Sequence, residues 1–429
     1  MTTSAAARDS VRVPGASAPY RVVAVTGTNG KTSTTTMIEA IAAHAGEPSG
    51  RLTTLGAWVR GQQITADTSI EGARAALEQA AISGVRTLAV ETTSHALARG
   101  FAAELPPLCA VFTNLSRDHL DFHGTLEAYL AAKAQLFLSI LPGGAGVLNA
   151  ADPASALLAE VMPADARVLA YAARPIDPAC AALPIALSAE SVTVDRSGTR
   201  VRLARSAAST LADRLGGELT LRVVGEVHAE NALAAAVAAD VLGFSAAAIR
   251  EGLAAFPGVP GRFEIVPRAH ATVVVDYAHT PDALERTLSL ARRLVSDREP
   301  RGRVILVFGC GGNRDRGKRP EMGRIAGAMA DLVIVTTDNP RGEDPETIAD
   351  DVLSGVVGRY SRPLRITDRA RAIRKAIALA EDPDIVVVAG KGHEKTQTFR
   401  DRIVPFDDVE VVRSAPSAAD GETGRKSRT

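Results

Sequence analysis

The chain has 429 residues, with 49 Lys and Arg against 49 Asp and Glu, so no net field is available to hold nucleic acid or an anionic membrane. Three scattered cysteines (Cys109, Cys180, Cys310) make no metal-ligand spacing and suit a reducing compartment. No apolar run approaches the ~18 residues of a membrane span and the N-terminus lacks a secretion pattern, so the expectation is a cytoplasmic α/β protein of two or three domains.

Residues 1–19 carry Ala, Ser and Pro without periodicity and read as a disordered tail. An apolar β-branched run from Arg21 to Val25 then meets Thr26-Gly27-Thr28-Asn29-Gly30-Lys31-Thr32-Ser33, and a helical pattern from Thr34 to Ala45 runs on to Gly46 and Pro48. That is the order of a buried strand, a phosphate loop and a helix N-terminus. Backbone N–H groups would cradle phosphates, Lys31 would add a charge, and the Thr32 hydroxyl would reach a Mg²⁺. Val25 stands where the common Walker pattern has its first glycine, and a chance Gly-Lys-Thr at a strand–helix turn is the alternative.

Glu71 to Ser83 is a second helical pattern, followed by a buried strand from Thr87 to Val90 that ends at Glu91. Cys109 to Thr113 is another strand, ending at Asn114; Glu127 to Leu138 is helical and Gly146 to Leu148 extended. Polar residues at successive strand ends mark the ligand edge of a doubly wound parallel sheet. Over 151–224, alternating segments (Ser191–Val194, Thr199–Leu203, Glu218–Val224) predict antiparallel additions to that sheet. Helices return at Ala229–Leu242 and Ala246–Phe256, and Gly258-Val259-Pro260-Gly261 breaks the chain.

The alternation then restarts. Thr272–Val275 runs into Asp276, Arg303–Phe308 into a glycine cluster, Asp331–Thr336 into Asp338, and Asp384–Ala389 into Gly390, with a helix over Asp282–Val295. The expected fold class is α/β: a central P-loop domain over 20–260 with a mostly parallel sheet and antiparallel additions, then a smaller Rossmann-like domain over 261–414. Residues 415–429 read as a second disordered tail.

Eight ordered motifs make the chain resemble the Mur ligases, and within them the MurE type, which adds the third residue to peptidoglycan precursors. They are the quoted loop; Glu91-Thr92-Thr93-Ser94-His95-Ala96-Leu97; Thr113-Asn114-Leu115-Ser116-Arg117-Asp118-His119-Leu120-Asp121; and Tyr129-Leu130-Ala131-Ala132-Lys133. Asp276-Tyr277-Ala278-His279-Thr280-Pro281 and Gly309-Cys310-Gly311-Gly312-Asn313-Arg314-Asp315 continue the series. The most type-specific pieces are Asp338-Asn339-Pro340-Arg341 with Gly390-Lys391-Gly392-His393-Glu394. The match runs from about Val22 to about Val412.

The resemblance implies an ATP-dependent acid–amino acid ligase that forms an amide through an acyl phosphate, using ATP and two Mg²⁺ ions. Gly27, Thr28, Asn29, Gly30, Lys31, Thr32 and Ser33 would hold the nucleotide together with Asn231, Arg262 and Asp276. Thr32 and Glu91 match positions for the first metal, and His119 a ligand of the second. No Cys or Glu completes a zinc spacing with His119 and His123. Lys133 matches a carbamylated lysine that helps hold the second ion, although a lysine on an amphipathic helix otherwise reads as a surface residue. Arg319, Asp338, Asn339, Arg341, Gly390 and Glu394 match the amino-acid site, in a form associated with meso-diaminopimelate; on composition alone 338–341 is a turn.

Two departures fall on the acceptor side. Only about twenty residues precede the first strand where the family has a UDP-binding domain, and Ala66-Asp67-Thr68-Ser69-Ile70-Glu71 replaces the usual Thr-Thr-Pro-Glu loop. Val227-His228 also stands where Phe-Asn usually precedes Asn231. The expected acceptor is therefore a small or carrier-bound carboxylate rather than UDP-muramoyl peptide. A peptidoglycan ligase with a separate acceptor-presenting protein, and a nucleotide-binding regulator, are the alternatives; no nucleic acid or membrane partner is expected.

Overall fold

The computed structural model describes residues 20–67, 69–205, 210–268, 271–296, 300–357 and 363–416. Both expected tails lie outside the described residues, apart from 415 and 416.

The first sheet has eleven strands: β1 (Arg21–Thr26), β2 (Ser49–Thr53), β3 (Gly56–Val59), β4 (Gln62–Thr65), β5 (Thr87–Glu91), β6 (Cys109–Phe112), β7 (Ala145–Asn149), β8 (Arg167–Ala172), β9 (Ile185–Asp195), β10 (Gly198–Leu203) and β11 (Glu218–Leu221). Their order is β11-β10-β9-β8-β7-β6-β1-β5-β2-β3-β4. The seven strands from β9 to β2 pair in parallel, and an antiparallel pair closes each edge. The additions at the 185–221 edge match the alternating pattern. The β2–β4 meander has no counterpart among the predicted elements, because its strands are only four or five residues long and β2 and β4 mix polar and apolar residues. Buried strands such as β1 and β6 read as continuous apolar stretches, as a sheet covered on both faces requires.

Two apolar layers sandwich this sheet. Met37, Ile38 and Ile41 of the Lys31–His44 helix pack with the Glu226–Val241 and Ala246–Ala255 helices on one face. Leu77, Leu136 and Phe137 cover the other. β1 is the switch point: it lies between β5 and β6, with Val25 beside Glu91 and Thr26 beside Phe112. The carboxyl ends of these three strands therefore open together, where open α/β sheets bind ligands.

The second sheet contains β12 (Glu264–Pro267), β13 (Thr272–Asp276), β14 (Val304–Phe308), β15 (Leu332–Val335), β16 (Leu364–Arg365) and β17 (Ile385–Ala389), in the order β12-β13-β17-β14-β15-β16. All neighbours are parallel except β12 and β13. Its carboxyl edge gathers Asp276, Gly309, Asp338 and Gly390. A hairpin over 396–405 covers part of that edge. Among the described residues no helix is long and apolar enough to cross a membrane.

Candidate active site

The stretch after β1 folds as a tight loop at a helix N-terminus. Gly30 caps the Lys31–His44 helix at φ 85°, a left-handed conformation that a side chain resists. A Cβ there would also lie 2.4 Å from Asn231 Oδ1, so the helix carrying Asn231 sits directly on the loop. Asn231 is buried, and its Nδ2 has no hydrogen-bond partner among the described residues.

The loop is clamped by the end of β6. Thr28 N donates to the Asn114 carbonyl (2.8 Å), Asn29 N donates to Asn114 Oδ1 (2.9 Å), and Thr113 Oγ1 donates to the Asn29 carbonyl (2.6 Å). Lys31 Nζ curls back to the Thr28 carbonyl at 2.8 Å. Burial lowers its pKa, opposed by the charges of Glu91 and Asp118. Thr32 Oγ1 donates to Glu91 Oε2 at 2.9 Å, and Thr54 N reaches the same oxygen at 3.1 Å. A hydroxyl and a carboxylate thus meet at the mouth of the loop, a donor set that suits a hard cation completed by phosphate oxygens. Ser33 is buried in the first turn of the helix.

Lys133 is the unusual group. Its side chain is 0% exposed, with Nζ donating to the Gly27 carbonyl (2.9 Å) and lying 4.1 Å from the Tyr129 ring centre. Burial drives its pKa well down, the Lys31 charge adds to this, and Asp118 opposes it. The surface-residue alternative is corrected: the helix turns this lysine inward, under the phosphate loop. Nearby, His119 takes a left-handed φ of 54°, and its Nε2 is 3.5 Å from Asp118 Oδ2. Its ring stands 4.7 Å from that of His95, while His123 Nε2 is 2.9 Å from Ser94 Oγ.

A cleft of about 340 Å³ opens between the two sheets. Asp118 and His119 line it from the first sheet; Tyr277, His279, Arg314, Asp338, Asn339, Arg341, Gly390 and Glu394 line it from the second. Glu394 Oε2 accepts from Asn339 Nδ2 (2.7 Å) and from the buried Lys391 Nζ (2.9 Å), while Asn339 Oδ1 accepts from Thr398 N (2.9 Å). Asn339 is therefore held at both ends. Arg341, at φ 50°, donates Nη1 to the Gly312 carbonyl at 3.0 Å. Burial raises the Asp338 pKa, with Arg369 and Lys391 opposing, and a Cβ on Gly390 would meet its Oδ2. Glu91 does not line this cleft; it opens onto a separate recess of about 110 Å³ with Thr54, Thr93 and Phe101.

Two expected residues have other employment. Arg319 is fully buried, its guanidinium engaged by Glu343 (2.9 and 3.0 Å) and Asp351 (2.8 Å), and it does not line the cleft. Arg314, five positions earlier, lines the cleft beside Arg341, and its signal in the sequence is its place in the glycine-rich stretch after β14. Asp276 spends both oxygens on its own neighbourhood, accepting from Phe263 N (2.7 Å), Ala278 N (3.0 Å) and Thr287 Oγ1 (2.9 Å). This shapes the loop that carries Tyr277 and His279, and Arg262 stacks on the Tyr277 ring at 4.3 Å. Burial brings the His279 pKa down to about 4, with the Lys318 charge adding to it.

Residues 25–239 match the Mur ligase middle domain, and residues 261–392 the Mur ligase glutamate ligase domain. A UDP-N-acetylmuramoyl-L-alanyl-D-glutamate–2,6-diaminopimelate ligase of Synechocystis sp. is 42% identical over 404 residues, covering 92% of this chain and 75% of that protein. The enzyme of the same name from Halalkalibacterium halodurans is 40% identical, covering 92% and 78%. A solved structure of such a ligase superposes with a TM-score of 0.64 at 35% identity, over 94% of this chain and 79% of that one. A folylpolyglutamate synthase from Thermotoga maritima shares the fold (TM-score 0.64, 19% identity, 87% and 86% covered). With both domain matches in place and relatives of one kind aligned over nine-tenths of the chain, it belongs to the Mur ligase family, in its MurE-type branch, and is an ATP-dependent acid–amino acid ligase.

Proposed function

We propose that the chain joins 2,6-diaminopimelate, in its meso form, to the D-glutamyl carboxylate of UDP-N-acetylmuramoyl-L-alanyl-D-glutamate. The observation that carries this is the shared cleft, where Asp118 and His119 of the first sheet face Arg314, Asn339, Arg341 and Glu394 of the second. The substrates are those named for relatives aligned over nine-tenths of the chain. That alignment overturns the expectation of an acceptor other than UDP-muramoyl peptide. The expectation leaned on where the chain begins, which is no evidence about the acceptor, and on a six-residue departure that the alignment outweighs.

Two functional units meet at the cleft, one over 20–260 and one over 261–414. In the first, Gly27 to Ser33 and Asn231 hold the nucleotide, with Arg262 reaching it from the second. The loop's N–H groups and Lys31 take the phosphate charge. Thr32 and Glu91 would hold one Mg²⁺, and His119 with Lys133 a second; the ions supply charge neutralisation at the transferring phosphoryl group. Lys133 fits carbamylation because burial, with the Lys31 charge adding to it, favours the neutral amine that such chemistry needs over the opposing pull of Asp118. ATP phosphorylates the acceptor carboxylate and ADP leaves; the amine then attacks the acyl phosphate and expels phosphate.

The second unit orients that amine. Arg341 and Arg314 present guanidinium groups to a distal carboxylate, while Glu394, fixed by Asn339 and Lys391, faces an ammonium. All substrates are small molecules, and the setting is the cytoplasm, where nucleotide-linked precursors are made. The test is ADP release by the purified chain with acceptor and amino acid varied pairwise. Turnover that needs both named substrates supports the reading; turnover with neither, or with an unrelated pair, overturns it.

A further inference from the structure

The Pro281–Ser296 helix carries a stripe along the seam between the two sheets, and its first member, Asp282, stands at the rim of the cleft. Asp282, Arg286, Leu290 and Arg293 recur at helical spacing, so they share one face; Leu284, Leu288, Ala291 and Val295 pack into the second sheet's core, and Leu290 belongs to the same buried cluster at the point where Val224 joins it. Each member of the stripe touches the first sheet's layer. Asp282 Oδ2 accepts from Asn29 Nδ2 of the phosphate loop at 3.4 Å. Arg286 Nη1 lies 3.9 Å from Glu230 Oε1, which Arg174 also engages at 2.7 Å. Leu290 packs so near Gly225 that a Cβ there would come within 2.9 Å of its Cδ2. Arg293 pairs with Glu226. Asp282 and Arg286 are themselves bridged at 3.1 Å.

The elements contacted are the two that form the nucleotide site. The backbone of Asn29 is clamped by Thr113 and Asn114, so its side chain is the part that crosses to the second sheet. Glu230 precedes Asn231, whose amide lies over Gly30. Exposed ion pairs hold weakly, and contacts between units of one chain commonly open and close.

We propose that this stripe is a docking face that sets the distance between the amine held by the second sheet and the carboxylate activated over the first. Asp282 is its positioning residue, sensing the phosphate loop through Asn29. The consequence for catalysis rests on the ligase reading above, because attack on an acyl phosphate requires the two substrates in near contact.

Asp282→Ala lowers turnover of the complete reaction about tenfold, since the amine is misplaced rather than absent. Hydroxylamine trapping of the activated carboxylate, run with ATP and acceptor but no amino acid, stays within about twofold of the parent. Arg293→Glu lies away from the cleft and lowers turnover about threefold, and adding Glu226→Arg restores it. Equal losses in ligation and trapping, or a charge swap that restores nothing, overturn the proposal. Small-angle X-ray scattering of the full chain reads docking without turnover: Arg293→Glu enlarges the radius of gyration and the swap reverses the change. If the parent ligates nothing, the ligase reading fails while scattering still decides the docking face; identical profiles for parent and Arg293→Glu overturn it.

Discussion

Lys133 shows what a single residue can hide. Its sequence setting is an ordinary amphipathic helix, yet the side chain is fully buried, with the Gly27 carbonyl and the Tyr129 ring as its partners among the described residues. Removing even a partner that orients a metal ligand costs roughly 10 to 100-fold, so Lys133→Ala, which would remove a ligand itself, should lose at least that much ligation and regain part of it when acetate or formate is supplied. Full activity without additive would remove the carbamylated role. At the amino-acid site the two arginines separate cleanly. Arg341→Ala should compress the preference for diaminopimelate over lysine, a discrimination that a polar site can hold at up to about 10⁴-fold. Arg319→Ala leaves Glu343 and Asp351 without their buried partner, so it should cost roughly 3 kcal/mol of stability by denaturant titration and leave selectivity unmoved. A motif records that an arginine is present and not where its fork points, so the sequence alone does not tell the two apart.

At the scale of elements, the strand–loop–helix after residue 20 was legible because each local preference agrees. A β-branched run, a left-handed glycine and a hydroxyl-rich first turn need no distant partner to be recognised. The β2–β4 meander, stabilised by its neighbours rather than by its own pattern, was not. A second device hidden from the sequence ties the last helix to the second sheet. Arg369, fully buried, makes a two-point ion pair with Asp408 (2.7 Å each) and donates to the Ala389 carbonyl at the end of β17 (3.0 Å). Breaking one side of a buried pair strands a charge, so Asp408→Ala should cost about 3–5 kcal/mol, visible as a lowered denaturant midpoint. An Arg369→Met, Asp408→Leu double variant should recover much of the loss. The carboxyl end of β17 leads directly to Gly390, so the single variant should also raise the KM for the amino acid.

For the whole molecule, the acid limb of stability follows from buried histidines. Burial brings the His228 pKa down to about 4 from an ordinary 6.5, and His393 falls to about 4 with the Arg262 charge adding to its burial. A base whose folded pKa lies below its unfolded one leaves the unfolded chain binding more protons between those values. Stability is therefore greatest above pH 6.5 and falls as the pH drops through the window to about 4. At pH 5.5 His228 alone should account for a loss of about 1.4 kcal/mol, and His228→Leu should flatten that part of the profile in chemical unfolding. The sequence by itself determined the two α/β units, the phosphate loop and the family, because these rest on short runs whose chemistry is local. Only the tertiary structure decided that Lys133 points inward, that Arg314 rather than Arg319 faces the cleft, and that Asp282 reaches Asn29 across 253 positions. Side-chain direction and long-range contact depend on how helices pack on their sheets, and that packing is a property of the assembled layers rather than of any one stretch.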